Sequence, residues 1–311
     1  MKAVNRLGSG AREALGGGNA SQAPQPASVT PNVQPDTTKN FLLIHGAWHS
    51  SIHWNRVSAM LAAAGHRVCA IDLPGAGLNT RLPRSYVESD FVNLGTEPSP
   101  LASIKLDDYR RAVIEQVKVQ ASHGKVTLVA HSLGGVTATT VAEAVPELIE
   151  RIVYVAALVP VRLASMIDYG GLPENAGSLT QSIWVADPTV VGAARINPRD
   201  PSASYLEKAR QAFYNDLSTE EFLKFAAFLV PDVPIGVALA DGRGTAARWG
   251  KIPRTYIRCT KDQSQPIALQ DLLIREADAA TPENVFEVRT LDSSHSPFAS
   301  MPDKLTAMIT S

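Results

Sequence analysis

From residue 40 onward the chain predicts an α/β fold with a mostly parallel central sheet flanked by helices, on three observations. Short apolar runs recur at 41–44, 67–71, 126–130, 152–156, 255–259 and 285–288, the last continuing to Thr290. Most are apolar throughout, as strands buried on both faces require. Stretches with helical spacing stand between them, the pattern of crossover helices packed on a parallel sheet. The third observation is a break: 161–250 shows no clear strand and holds four of the eight Phe, at 213, 222, 225 and 228, so it reads as a helical insertion.

Each helix has a local cause. Leu106, Tyr109, Val113 and Val117 share one helical face behind Asp107 and Asp108, which suit the positive end of a helix. Ala138, Val141, Ala142 and Val145 form a second stripe that must stop before Pro146. Within the insertion, Ser218 with Glu221 three residues on is a capping box, followed by Phe222, Phe225, Ala226 and Leu229 on one face. A further helix is expected at 267–277.

The chain has 311 residues, and 29 Lys and Arg against 30 Asp and Glu leave a net charge of −1. Near-neutrality leaves no electrostatic footprint for nucleic acid or an anionic membrane as partner. With 45% hydrophobic and 19% charged residues the chain buries a substantial core, and no run approaches the ~18 apolar residues of a membrane-spanning helix. Residues 1–38 are rich in Gly, Pro, Ala, Ser and Gln and read as a flexible leader. A cytoplasmic location is the expectation, with export left open by that leader. The expected organisation is a leader at 1–38, a core at 39–160 and 251–311, and the insertion at 161–250. Cys69 and Cys259 lie in separate strand-like runs and read as buried thiols, with no disulfide framework or cysteine metal site.

Chemistry concentrates in Ala130-His131-Ser132-Leu133-Gly134-Gly135, placed after an apolar strand and before a helix. A tight turn there lifts a serine hydroxyl off the sheet edge and aims helix N–H groups at developing negative charge. Ala130 stands where the G-x-S-x-G pattern has its first glycine, and it meets the same steric demand. A serine hydroxyl is a weak nucleophile and needs a base. His295 qualifies, in a loop directly after the last strand, where parallel sheets place their sites. His66 and His123 precede strands at the opposite edge and read as solvent-exposed. The carboxylate that would orient the base is Asp262, after the penultimate strand, with Asp292 as its rival. Leu133 and Ala47 are the expected oxyanion N–H donors, since Gly46 permits the bend that turns the Ala47 N–H inward. His45, His49 and His53 recur every four residues, the spacing of metal ligands on one helix face, but Gly46 and the preceding strand argue against a helix there. Gly75-Ala76-Gly77 reads as a turn rather than a phosphate loop.

Four segments, HGAWHSSIHW (45–54), AIDLPGAG (70–77), AHSLGG (130–135) and TYIRCTKD with SSHSPF (255–262 and 293–298), together resemble the alpha/beta-hydrolase fold. The resemblance is to its small bacterial esterases akin to plant methylesterases and hydroxynitrile lyases. It implies Ser132 as nucleophile, His295 as base, Asp262 as acid, oxyanion donors at Ala47 and Leu133, and the insertion as a helical cap. It also implies that His131 lines the base of the pocket. The lyase marks, Thr at 46 and Lys at 296, are absent: this chain has Gly46 and Ser296. The expectation is therefore a cofactor-independent, metal-free serine hydrolase of hydrophobic or aromatic small-molecule esters. Its pocket is expected to contain His131, Trp48, Trp184, Phe222 and Phe225. The alternatives are cyanohydrin, lactone or C–C bond cleavage, or a ligand receptor without turnover. The Pro-rich segment 80–103 is expected as a second rim of the entrance.

Overall fold

A computed structural model describes residues 38–311; the leader reading at 1–38, save Thr38, lies outside the described residues. Eight strands occur in the described chain: β1 (Asn40–Ile44), β2 (Arg67–Ile71), β3 (Val126–His131), β4 (Ile149–Val155), β5 (Ala193–Arg195), β6 (Asp232–Pro234), β7 (Arg254–Cys259) and β8 (Glu287–Leu291). Six form one sheet in the order β2-β1-β3-β4-β7-β8. Every neighbouring pair in it is parallel.

Position in the sheet sets burial. The central β1 and β3 are buried along their whole length, whereas the edge strands β2 and β8 are largely half-buried or exposed. Cys69 on β2 is accordingly only half-buried, unlike Cys259 on β7, and both thiols are free. The last strand also starts later than its apolar run, because the Phe286 N–H donates to Asp278 Oδ1 at 2.8 Å and leaves the ladder. Its ring instead packs edge-on against Tyr154 and Tyr256.

The crossover helices bury the expected faces. Leu106–Ala121 buries Leu106, Tyr109, Val113 and Val117, and Gly134–Ala144 is buried along most of its length. The capping box at Ser218 and Glu221 opens Thr219–Ala226, and Leu229 lies buried just beyond that helix.

The insertion departs from expectation in one respect. It contains a two-stranded antiparallel ribbon, β5 with β6. Strands of three residues are too short to show a period-2 pattern. The ribbon is tied by a buried ion pair, in which Arg195 Nε and Nη2 donate to Asp232 at 2.6 and 2.8 Å. Among the described residues, no helix is long and apolar enough to cross a membrane.

Candidate active site

Ser132 stands on the turn between β3 and the helix Gly134–Ala144, with a φ of +53°. A β-carbon makes that region costly, so the surrounding contacts must hold it. They do: the Ser132 N–H donates to Val155 O at 3.2 Å, and its carbonyl accepts from the Gly135 and Leu158 N–H groups at 3.0 Å. The small residues of the motif let backbones close in. A Cβ on Gly134 would stand 2.6 Å from the His45 carbonyl oxygen, and one on Gly135 would collide with the Leu158 carbonyl.

On the neighbouring loops, His295 Nδ1 lies 2.7 Å from Asp262 Oδ2, both side chains buried. The other carboxylate oxygen of Asp262 accepts from the Ser264 and Gln265 N–H groups at 2.7 and 2.8 Å. The Asp262 carboxylate is thus held from both sides. Asp292, its rival, is exposed, and pairs with Lys261 at 2.7 Å and the Thr260 hydroxyl at 2.9 Å. The elbow and the base loop meet through His131, whose Nε2 donates to the His295 carbonyl at 2.8 Å, with the two rings 4.5 Å apart.

Ala47 and Leu133 border the same cavity as Ser132, and their N–H groups donate to no acceptor among the described residues. Two such N–H groups at one cavity have the chemistry to donate hydrogen bonds to an anionic oxygen. The three histidines of 45–53 have other work. His45 Nδ1 donates to Gly46 O at 2.8 Å while its Nε2 accepts the Leu73 N–H at 3.1 Å. His49 bonds Ala47 O and Tyr214, and His53 Nδ1 accepts the Ser50 N–H at 3.1 Å. Burial pushes the His45, His49 and His131 imidazoles below their ordinary range, and His53 down to about 4.

The cavity over Ser132 has a volume of about 430 Å³. Trp48 and Trp184 line it, as do Met166, Ile167, Val233 and Ile235 from the insertion. His131, Phe222 and Phe225 do not. His131 is sealed beneath the elbow, and the two phenylalanines turn to Tyr214, whose ring lies 5.6 Å from Phe222 and stacks 5.7 Å from Phe225. A helix buries its apolar face against the nearest apolar partner, here another helix of the insertion. Segment 80–103 does not border the cavity either. Its Leu94 and Glu97 carbonyls accept from the buried Arg195 guanidinium at 2.7 Å, which draws it to the ribbon.

Sequence reasoning missed Gln265, which borders the cavity and brings its Nε2 to 3.5 Å from Ser132 Oγ. Its one signal was proximity to Asp262.

Residues 41–308 match the family model described as the alpha/beta hydrolase family. Methylesterase 18 of Arabidopsis thaliana is 30% identical over 278 residues, covering 86% of this chain and 94% of that protein. Pheophorbidase of Raphanus sativus is 27% identical over 280 residues, 88% of this chain and 94% of the relative. Among solved structures, a pyrethroid hydrolase from Sphingobium faniae JZ-2 superposes with a TM-score of 0.67 at 23% identity, covering 88% of this chain and 96% of that one, a likeness of fold. The chain belongs to the alpha/beta hydrolase family, among proteins of the plant methylesterase type.

Proposed function

We propose that the protein is a carboxylic-ester hydrolase that works through an acyl-enzyme on Ser132. The observation that carries this reading is Ser132 at one cavity with two N–H groups unengaged among the described residues, beside a buried Asp262–His295 pair whose loop is tied to the elbow through His131. Relatives named as methylesterases and a pheophorbidase support ester chemistry.

In this reading His295 takes the Ser132 hydroxyl proton as Oγ adds to the ester carbonyl carbon. The carbonyl oxygen becomes an oxyanion between the Ala47 and Leu133 N–H groups. Asp262 holds the imidazole with its proton on Nδ1 and stabilises the imidazolium. Collapse breaks the C–O bond to the alcohol, which leaves with the proton from His295. A water then adds to the acyl-enzyme, giving its proton to His295, and the acid departs as Ser132 recovers its proton.

Residues 161–250 act as a cap on a core formed by 39–160 and 251–311. The apolar walls of Trp48, Met166, Ile167 and Trp184 favour hydrophobic or aromatic esters. A panel of p-nitrophenyl esters with short, medium and aromatic acyl groups tests the reading. Release of p-nitrophenol by the wild type and its loss in Ser132→Ala are expected; turnover that survives in Ser132→Ala would overturn it.

A further inference from the structure

The two peptide planes flanking Ala47 are each held by a histidine. His45 Nδ1 donates to the Gly46 carbonyl at 2.8 Å, and His49 Nδ1 donates to the Ala47 carbonyl at 2.7 Å. A peptide is a rigid plane with its C=O and N–H opposed, so the His45 bond to the Gly46 carbonyl sets where the Ala47 N–H points, and the His49 bond fixes the following plane on the other side of the Ala47 Cα. The next residue, Trp48, has a φ of +58° and is pinned from the insertion. Its carbonyl accepts the Val230 N–H and its indole donates to Ala194 O, both at 2.9 Å.

A third tie reaches the same loop from 165 residues away. Tyr214 closes the helix Ala203–Tyr214, and its hydroxyl lies 2.8 Å from His49 Nε2. The Ala47 carbonyl can only accept, so His49 carries its proton on Nδ1. The ring is buried beside His53 and His131, surroundings that keep it neutral. Its Nε2 is therefore a lone pair, and the Tyr214 hydroxyl donates to it. Without that donor the imidazole is free to move its proton to Nε2, and the Ala47 carbonyl then loses its bond.

We propose that Tyr214 is a positioning residue for the oxyanion peptide. By donating to His49 Nε2 it holds the tautomer that grips the Ala47 carbonyl, and so fixes the peptide after Ala47 and restrains the rotation at Ala47 that would swing its N–H away from that of Leu133. Tyr214 does not border the cavity, so it acts through His49 and not on substrate. The proposal rests on Ala47 being an oxyanion donor, as read above.

The test is Tyr214→Phe, which keeps the ring that stacks on Phe225 and removes one oxygen. Kinetics on a p-nitrophenyl ester and inhibition by a trifluoromethyl ketone, a mimic of the oxyanion adduct, are read together. Loss of a whole oxyanion donor costs about 10²–10³ in rate, so a loosened one is expected to lower kcat about tenfold. KM should stay within about twofold and ketone affinity should fall by the same factor as kcat. His49→Asn, whose amide nitrogen takes the Nδ1 position, should retain most activity. In that background Tyr214→Phe should add nothing further. Unchanged kcat and ketone affinity in Tyr214→Phe, or a loss that merely tracks the unfolded fraction by circular dichroism, would overturn the proposal. A wild type that turns over esters yet is not inhibited by the ketone would instead overturn the oxyanion reading beneath it.

Discussion

A Cβ built on Gly46 would stand 2.6 Å from the Cβ of Ser132. The loop after β1 thus passes the nucleophile elbow at a distance that a hydrogen allows and a methyl does not. Both segments are buried, the elbow is already held at positive φ, and neither can yield without moving the candidate donors at Ala47 and Leu133.

Gly46→Ala is therefore expected to lower kcat/KM about 100-fold, since displacements of about 1 Å in a site cost that much. Overpacking should also remove about 2 kcal/mol of stability. Ester kinetics and urea unfolding measure both, and a near-wild-type Gly46→Ala would show that the loop is free to shift. Threonine, the lyase mark at this position, brings still more atoms into the same space.

Asp262 and Asp292 separate cleanly by their partners. Asp262→Asn leaves the fold in place but disturbs the His295 tautomer, and kcat should fall roughly 10³–10⁴-fold. Asp292→Asn removes only an exposed pair with Lys261, and activity should stay within about twofold. The reverse pattern in steady-state rates would exchange the two assignments.

Acid should destabilise this protein through its buried histidines. Burial, with His45 nearby, pushes His53 down to about 4, against 6.5 for a free imidazole. The unfolded chain then binds a proton that the native chain refuses. The contribution of His53 is whole above pH 6.5, is lost as pH falls, and is spent below about pH 4. Its size is on the order of 3 kcal/mol. His45, His49 and His131 are lowered by burial as well and act in the same direction. Urea unfolding at pH 7, 5.5 and 4.5 should show falling stability, with a shallower slope in His53→Gln. An identical slope in that variant would exclude His53 as a contributor.

Gln265 is only 5% exposed, and its Oε1 has no hydrogen-bond partner among the described residues. A buried unsatisfied polar atom costs about 1–3 kcal/mol. Gln265→Leu should accordingly raise the melting temperature by about 2–4 °C. Because the amide borders the cavity next to Ser132 Oγ, its loss should also lower by about tenfold the kcat/KM of an ester with a hydroxyl beside its carbonyl relative to that of the deoxy analogue. A lower melting temperature with unchanged preference would refute both parts.

The parallel sheet and the places of its strands along the chain, the turn at Ser132 and the placing of Asp262 and His295 after β7 and β8 were legible in the sequence alone. Each rests on something local: an apolar run with its period, small residues where a turn must close, and the rule that parallel strands present their C-terminal ends to a site. Tertiary structure decided the rest. Phe222 and Phe225 carry the same apolar signal as Trp184, yet they pack on Tyr214 while Trp184 borders the cavity. The ribbon β5–β6 is too short to show a period and is held by a buried Arg195–Asp232 pair 37 residues apart. Gln265 beside Ser132, and Tyr214 beside His49, join segments 133 and 165 residues apart. Periodicity tells which face of an element is buried. Which partner that face meets depends on how the whole chain closes, and no window of sequence contains that.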